Sequence, residues 1–469
     1  MFVSIRTIWM CCFALGMATL VAANEAKIDL SPNVPVGDVV QVTIELEGGG
    51  NNLVRSEEAD KETAGAEKKL PMSVSAKLKY DERLLSPVAG TQPAEGTLLA
   101  IRHYHQAEAV IKVDESGLTP KLADNRRLIL LKQAAERPIL YSPDGTLPRE
   151  QLDLVDVVSN SYLVNMLLPT GPVAAGDTWA NDGPLMAGLL TLDSVAACEV
   201  QSVLDESNAS FAKIRIAGVV NGTTDGAATQ QEVRGVYLFD RRLKRITRIN
   251  LAVKERRSIG GATPGLDAVA KLQMKIEPIK SSPQLTDEIV ASHTRSDRQA
   301  QLNLLYDSPK LGFRVEHDRQ WFITSQQREA VTLRRVDCGD MVAQCTLSAL
   351  PPKSAGRQTS LEQFQKDITY SLGKNFGELV SSRQWTNSHG NHCYTVVVRG
   401  MADEIPVEWH YYLVSPDNGH RLSLAFTIEG QLVERVGQSD QALVEAIELY
   451  TPTPPTAETA AAPAETATK

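Results

Sequence analysis

The sequence predicts an α+β protein made of two strand-rich parts, each an antiparallel sheet with helices packed against it. Apolar and polar residues alternate along many short segments, helix-like periodicity is confined to a few stretches, and 469 residues exceed one ordinary core. Alternation with one polar face is typical of antiparallel sheets with one face on a core. We expect a curved, half-barrel-like sheet with a helix first, then an antiparallel sheet flanked by helices.

Residues 1–23 have the pattern of a cleaved secretory signal. Arg6 precedes an apolar run from Ile8 to Leu20, and the small residues Val21-Ala22-Ala23 follow it. The run is too short for a membrane-spanning helix, which needs about 20 apolar residues. We expect cleavage near Ala23, a periplasmic or secreted location, and a mature chain that does not span a membrane.

Charge and motif content exclude several classes of function. The chain has 48 Lys and Arg against 57 Asp and Glu, and loss of Arg6 with the signal changes the formal net charge from −9 to −10. This acidic balance disfavours nucleic acid as a partner. The sequence has no Gly-x-Ser-x-Gly elbow, no His-Glu-x-x-His helix and no Ser-x-x-Lys in a plausible context. We therefore expect no enzymatic activity and no cofactor.

Composition divides the mature chain into segments. We predict a β-rich domain over 28–280, a polar linker over 281–303, an α+β domain over 304–450 and a disordered tail over 451–469, which is almost wholly Thr, Pro, Ala and Glu. Residues 48–69 are Gly-rich and then charged, which predicts a surface loop between two paired strands.

Helical spacing is found at three places. In the first domain, apolar residues recur from Leu152 to Leu167, between Pro148 and Pro169, and predict one helix. In the second, Thr359 is the expected cap of a helix over Leu361–Leu372. A final helix is expected from Ser439.

The order of elements over 304–450 resembles the PsbP-like fold of extrinsic photosystem proteins and many secreted bacterial domains. The residues that carry the resemblance are Leu311-Gly312-Phe313-Arg314-Val315 with Trp321, the Leu361–Leu372 helix, and Trp409-His410-Tyr411-Tyr412. The resemblance implies a module for assembly, docking or binding rather than catalysis.

The first domain is similar to uncharacterised secreted bacterial domains that carry Leu168-Pro169 and Gly176-Asp177-Thr178-Trp179. In general shape these resemble LolA-like half-barrels, which carry lipid in their concave face. The resemblance implies an alternative function, a periplasmic carrier of an apolar ligand, and transfers no site residue.

Four cysteines follow the signal. Cys338 and Cys345 flank a predicted hairpin turn, so we predict a disulfide between them, with buried unpaired thiols as the alternative. Cys198 is expected to be a lone buried thiol.

Two further features are candidate sites. His389, His392 and Cys393 are the best metal-like cluster, although a fourth ligand is missing and the same residues fit a turn before a strand. Arg241, Arg242, Lys244 and Arg245 concentrate positive charge and are candidates for an anionic partner, or for the solvated face of a hairpin. His410 is expected at a solvent-facing edge.

Together these features predict a non-enzymatic, extracytoplasmic binding or assembly protein. The expected partner is an unknown protein or surface component, and lipid is the partner in the carrier alternative. A large cavity lined by apolar side chains would favour the carrier, whereas a concave face filled by them would not.

Overall fold

The computed structural model describes residues 27–55, 67–88, 93–294 and 302–452. The predicted signal and all but the first two residues of the predicted tail lie outside these ranges. The prediction of a mainly antiparallel, strand-rich fold is confirmed for the described residues.

Strands dominate the described chain. In chain order they are β1 (Val39–Arg55), β2 (Glu67–Leu84), β3 (Leu98–Val113), β4 (Ser116–Leu118), β5 (Leu128–Gln133), β6 (Pro138–Tyr141), β7 (Leu147–Pro148), β8 (Thr178–Asn181), β9 (Ser194–Cys198), β10 (Val200–Ser207), β11 (Phe211–Thr224), β12 (Ala227–Asp240), β13 (Arg245–Arg257), β14 (Gly265–Pro278), β15 (Leu304–Ser308), β16 (Phe313–His317), β17 (Trp321–Gln326), β18 (Ala330–Asp337), β19 (Asp340–Ala349), β20 (Phe376–Thr386), β21 (His392–Ala402), β22 (Ile405–Ser415), β23 (Leu422–Glu429) and β24 (Ile447–Leu449). The α-helices are α1 (Arg149–Val155), α2 (Gly183–Leu190), α3 (Asp287–Thr294), α4 (Leu361–Leu372), α5 (Val433–Val436) and α6 (Ser439–Glu445).

An open, curved sheet of 13 strands occupies the first part of the chain. Its order is β6-β5-β3-β2-β1-β14-β13-β12-β11-β10-β8, with β4 and β9 paired beside β3 and β11. The long strands pair antiparallel, and β1 lies in the middle between β2 and β14. Along these strands every second side chain is buried in a single apolar core. We call the face of the sheet that carries these side chains the inner face.

The prediction of a surface loop over 48–69 is wrong for both of its described parts, 48–55 and 67–69, which are strand. β1 continues through Gly48-Gly49-Gly50 to Arg55, and β2 begins at Glu67, in unbroken register. Gly50 permits a close approach of neighbouring backbone: a Cβ there would lie 2.2 Å from the carbonyl oxygen of Asp267. The glycines therefore mark tight strand packing, and 56–66 lie outside the described residues.

The prediction of a single helix between Pro148 and Pro169 is wrong. α1 ends at Val155, where the next residue, Asp156, leaves helical geometry and Ser159 adopts a φ of 66°. A short 3₁₀ helix over Val164–Leu167 follows. These breaks fold residues 149–168, called the plug segment below, into a compact unit against the inner face.

Helix α2 was not predicted, because its short sequence is apolar on all sides. The Asp182 side chain caps it by accepting from the backbone N–H of Leu185. Gly188 lets α2 pack closely on the plug segment, since a Cβ there would lie 2.5 Å from Cδ1 of Leu163.

A seven-stranded antiparallel sheet, in the order β17-β18-β19-β23-β22-β21-β20, forms most of the second part. Helix α4 has the predicted bounds, but Ser360 rather than Thr359 caps it through the N–H of Gln363. Phe364 and Ile368 of α4 pack on one face of this sheet, while α6 lies on the other with Leu443 and Val444 buried.

A small four-stranded sheet joins residues of both predicted domains. Its order is β24-β16-β15-β7, and β7 pairs parallel with β15. Leu304 of β15 belongs to the core of the large sheet. In the segment predicted as a linker, Leu285 is buried and α3 follows it, while 295–301 lie outside the described residues.

Candidate functional site

The plug segment fills the inner face of the large sheet with apolar side chains. Leu152, Val155, Leu163 and Val164 are buried in the same core as the inward-facing residues of the strands. Two aromatic residues of the sheet donate to the Leu167 carbonyl oxygen, Trp179 through its Nε1–H group and Tyr237 through its hydroxyl. The described inner face is therefore packed by the chain itself.

A buried charged network ties the plug segment to the sheet. Nε of Arg102 on β3 lies 2.6 Å from a carboxylate oxygen of Glu82 on β2, and both side chains are about 97% or more buried. The guanidinium also donates to Oδ1 of Asn160 at 2.6 Å and to Oγ of Ser161 at 3.1 Å, both in the plug segment.

Ser161 connects the charged pair to Tyr80. Its hydroxyl donates to Glu82 at 2.8 Å, so the Tyr80 hydroxyl, 2.9 Å away, is the donor to Ser161. Burial raises the pKa of Tyr80, which keeps the phenol protonated for this role. The Ser161 hydroxyl thus joins the Glu82 carboxylate, the Arg102 guanidinium and the Tyr80 phenol.

The cavity beside Arg102 is small. It is lined by residues that include Ile44, Leu78 and Val155, and its volume is about 10 Å³. That is room for about one water molecule and not for a lipid chain. The described part of the chain thus offers no large apolar cavity at this point.

The candidate metal cluster lies in a turn that bonds to the end of α6 and to the strand after it. The Asn387 side chain donates to the carbonyl oxygens of Val444 and Ile447, and Ser388 donates to that of Glu445. These bonds fasten the turn to the end of α6 and to the start of β24. The pattern Asn-Ser-His-Gly-Asn therefore forms a turn before a strand, as the sequence also allows.

The three candidate ligands do not converge. The Cys393 thiol is buried and donates to the carbonyl oxygen of Asn391, and burial raises its pKa to about 12, away from the thiolate that binds metals. The His392 ring packs edge-on against Tyr394. Within the ranges that the structure describes, no three His, Cys, Asp or Glu side chains are arranged to hold a metal ion.

The predicted Cys338–Cys345 disulfide is not formed. Both thiols are free, Cys338 exposed in the turn and Cys345 buried opposite Leu333 of β18. The hairpin register separates them, because Cys338 lies at the tip while Cys345 lies several residues along the strand. Cys198 is a free thiol, as expected, but it is half-buried rather than buried.

The predicted basic cluster divides between surface and interior. Arg242 and Lys244 are exposed in the turn between β12 and β13, and Arg241 bonds the Asn208 carbonyl oxygen. Arg245 was placed wrongly: its side chain is 8% exposed and pairs with Asp38. It is the first residue of β13, and because its side chain is buried and paired it is not part of the exposed basic surface.

A second buried charged cluster, which the sequence did not indicate, surrounds His410. The expectation of a solvent-facing edge is wrong, since its side chain is 12% exposed. Nδ1 lies 2.5 Å from Asp440 of α6, and Nε2 lies 2.8 Å from Glu408. An imidazole placed between two carboxylates donates from both nitrogens only when it is protonated. Tyr412 also donates to Asp440, and Arg399 to Glu408.

This cluster makes the packing of α6 depend on pH. Burial alone would lower the pKa of His410. The hydrogen bonds and negative charges of Asp440 and Glu408 together have the larger effect and hold that pKa above its usual 6.5. Stability from the imidazolium is therefore complete below about pH 6.5 and is lost as pH rises through the raised value. We expect His410→Gln to cost about 2–3 kcal/mol at pH 6 and clearly less at pH 9.

Denaturant unfolding of both proteins at the two pH values measures this difference. Arg328→Gln, a change at an exposed position of the same part of the chain, is the control and should be neutral at both. A cost for His410→Gln that is the same at pH 6 and pH 9 would contradict the assignment of a protonated ring.

No family model matches the chain, and no curated protein matches it. Among solved structures, cyanobacterial PsbP (CyanoP) from Synechocystis sp. PCC 6803 is similar to 33% of this chain over 96% of its own length, at 15% identity and a TM-score of 0.25. Lipovitellin, described for its lipid–protein interactions, matches 54% of this chain and 26% of its own, at 11% identity and a TM-score of 0.30.

A protein from Bacteroides thetaiotaomicron VPI-5482 matches 31% of this chain at 12% identity and a TM-score of 0.24. The match spans about half of that protein's length, 48%. Likenesses of this size carry no argument about fold or function. Separately, no helix among the described residues combines the length and apolar character needed to cross a membrane.

Proposed function

We propose that the protein is a non-enzymatic, extracytoplasmic binding or assembly protein that meets its partner on an outer surface. One observation carries the proposal: the chain's own plug segment occupies the inner face of the large sheet, where a carrier would hold its ligand. The secretory signal in residues 1–23 supports the compartment.

The chemistry of the buried polar groups also favours binding over catalysis. The charged groups of the Arg102 and His410 clusters are buried and bond to neighbouring side chains. A catalytic group must reach a substrate within hydrogen-bonding distance. In these two clusters the reactive atoms instead bond to the protein.

We also propose a PsbP-like fold for 304–450 and retain the half-barrel comparison for 28–280. The order of β16, β17, the β18–β19 hairpin, α4, β20–β23 and a last helix supports the first. Members of that family act in assembly and docking, so this proposal agrees with an outer-surface binding role.

Native mass spectrometry of the protein purified from its own compartment tests the proposed function. We expect the mass of the chain without residues 1–23, either alone or with a partner protein, and free of lipid. The same sample under denaturing conditions is the control for covalent mass. A stoichiometric lipid that leaves on denaturation would contradict the proposal and establish the carrier function.

A further inference from the structure

The turn between β10 and β11 carries an acceptor sequence for N-linked glycosylation. The pattern Asn-x-Ser or Asn-x-Thr, with x other than Pro, occurs twice in the chain, at Asn208-Ala209-Ser210 and at Asn221-Gly222-Thr223. Such a sequence accepts a sugar where it lies on a surface loop of a secreted protein. The first copy lies in the turn and the second lies within β11, so the fold gives them different accessibility.

Asn208 and its neighbours are exposed. Every residue from Glu206 to Phe211 is exposed to solvent, and together they form the tip of the β10–β11 hairpin. Backbone groups fix this turn, because the N–H of Asn208 donates to the Phe211 carbonyl oxygen at 2.9 Å and Arg241 donates to the carbonyl oxygen of Asn208. The fold therefore presents the acceptor residue at the surface in a defined conformation.

The side-chain amide of Asn208 leaves its nitrogen available. Its Oδ1 atom accepts from the backbone N–H groups of Ser210 at 2.8 Å and of Phe211 at 3.0 Å. Because these two donors require an oxygen, Nδ2 takes the other side of the amide group, and among the described residues it makes no hydrogen bond. A sugar on Nδ2 would therefore break no contact of the turn, and Oδ1 would keep both of its donors.

The second acceptor sequence is held within the sheet. Its backbone pairs on both sides of β11, with β12 on one edge and β9 on the other. The Thr223 hydroxyl, which belongs to the recognised pattern, lies 2.9 Å from the hydroxyl of Ser194, and Oδ1 of Asn221 accepts from Gln230 at 3.0 Å. A transferase would have to open the sheet to bind this segment, whereas Ser210 is exposed.

We propose that Asn208, and not Asn221, is an N-glycosylation site of the folded chain. The co-substrate is a lipid-linked glycosyl diphosphate, and a transferase outside the cytoplasm catalyses the transfer. Nδ2 forms a bond to the anomeric carbon of the sugar and loses one proton, while the bond from that carbon to the diphosphate oxygen breaks and the diphosphate leaves with the electron pair. The inference rests on the proposed extracytoplasmic location, where this transfer takes place.

A glycan at this turn would restrict where the proposed partner binds. An N-linked glycan is bulky and solubilising, so it would cover the tip of the β10–β11 hairpin. The partner would then contact a part of the outer surface away from this tip.

Mass spectrometry of tryptic peptides from the full mature chain, purified from its own compartment, tests the inference. Cleavage after Lys213 and Arg215 separates the two acceptor sequences. We expect a saccharide on the Asn208 peptide and none on the Asn221 peptide. Asn208→Gln should abolish the modified peptide, and the matched control, Asn221→Gln, should leave it unchanged.

Two variants of Ser210 separate the acceptor sequence from the turn itself. Ser210→Ala keeps the hydrogen bonds of the Asn208 side chain but lacks the hydroxyl, so it should also abolish the modification. Ser210→Thr keeps the hydroxyl and should retain it. Thermal melts should show that all four variants fold.

An unmodified Asn208 in the wild type, or equal modification of Asn221, would overturn the inference. A saccharide that persists in Asn208→Gln would also overturn it, because the sugar would then be linked to another group. A glycan is covalent and stays on the chain under denaturing conditions, so the native mass measurement does not confuse it with a bound lipid or partner. Failure here therefore leaves the test of the proposed function unaffected.

Discussion

Replacing Arg102 with Met is expected to lower the free energy of unfolding by about 3–5 kcal/mol, the largest effect of any substitution considered. The substitution leaves the carboxylate of Glu82 about 98% buried without its cation, and an unpaired buried charge costs several kcal/mol. It also removes the donor to Asn160 and Ser161, which loosens the plug segment from the sheet. Urea unfolding measures the change.

A second substitution and a surface pair provide the controls for Arg102. Arg102→Met combined with Glu82→Gln should recover part of the loss, because no unpaired charge is left. The exposed pair Arg234 and Glu232 has a similar distance between guanidinium nitrogen and carboxylate oxygen, 2.5 Å. Because this pair is in contact with solvent, Arg234→Met should cost less than about 1 kcal/mol. An unchanged unfolding midpoint for Arg102→Met would show that the network does not hold the plug segment.

Replacing Trp179 with Ala is expected to cost about 3 kcal/mol and to destabilise the large sheet first. The indole is half-buried against the core and donates to the Leu167 carbonyl oxygen at 2.8 Å. Truncation removes both the ring contacts and the donor. Trp179→Phe retains most of the packing and loses only the hydrogen bond, so it should cost about 1 kcal/mol.

The Trp179 variants also separate a packing role from a ligand-binding role. Thermal melts of the full chain, followed by fluorescence, measure stability for each variant. If Trp179→Ala melts as the wild type does while binding of a copurifying ligand is lost, the ring is a site residue. That result would revive the carrier function.

Local sequence patterns predicted the second part of the fold well. The 3.6-residue spacing from Leu361 to Leu372 fixes α4, because the stretch is amphipathic and Gly373 stops it. Strand β16, Phe313–His317, also follows its local sequence, since buried apolar residues alternate with exposed polar ones along it. In both cases the pattern and the burial agree along the whole element.

Other elements depend on contacts that are distant in the sequence. Gly48-Gly49-Gly50 looks like a loop, yet the close approach of β14 near Asp267 makes glycine the residue that fits a strand there. The plug segment breaks at Asp156, which pairs with Arg137, and at Ser159, whose backbone N–H donates to the Leu189 carbonyl oxygen of α2. No local pattern shows these constraints.

The candidate site shows the same limit. His389 and His392 attract attention because they are close in sequence, but the turn that holds them serves the end of α6. The pairs that do form, Arg102 with Glu82 and His410 with Asp440, join residues 20 and 30 positions apart. A signal was available for the first: Arg102 interrupts the apolar run Leu99-Ala100-Ile101, and a lone charge in a buried strand requires a partner.

Hydrogen exchange of the plug segment tests the central claim, that the chain itself permanently fills the inner face. We predict that the amide hydrogens of Leu163 to Leu167 exchange as slowly as those of β12 in the protein free of ligand, because both open only with the whole core. Adding lysophosphatidylcholine below its micellar concentration should leave the rates unchanged. Fast exchange of the plug segment beside a slowly exchanging β12, or protection that rises only with the lipid, would contradict the account.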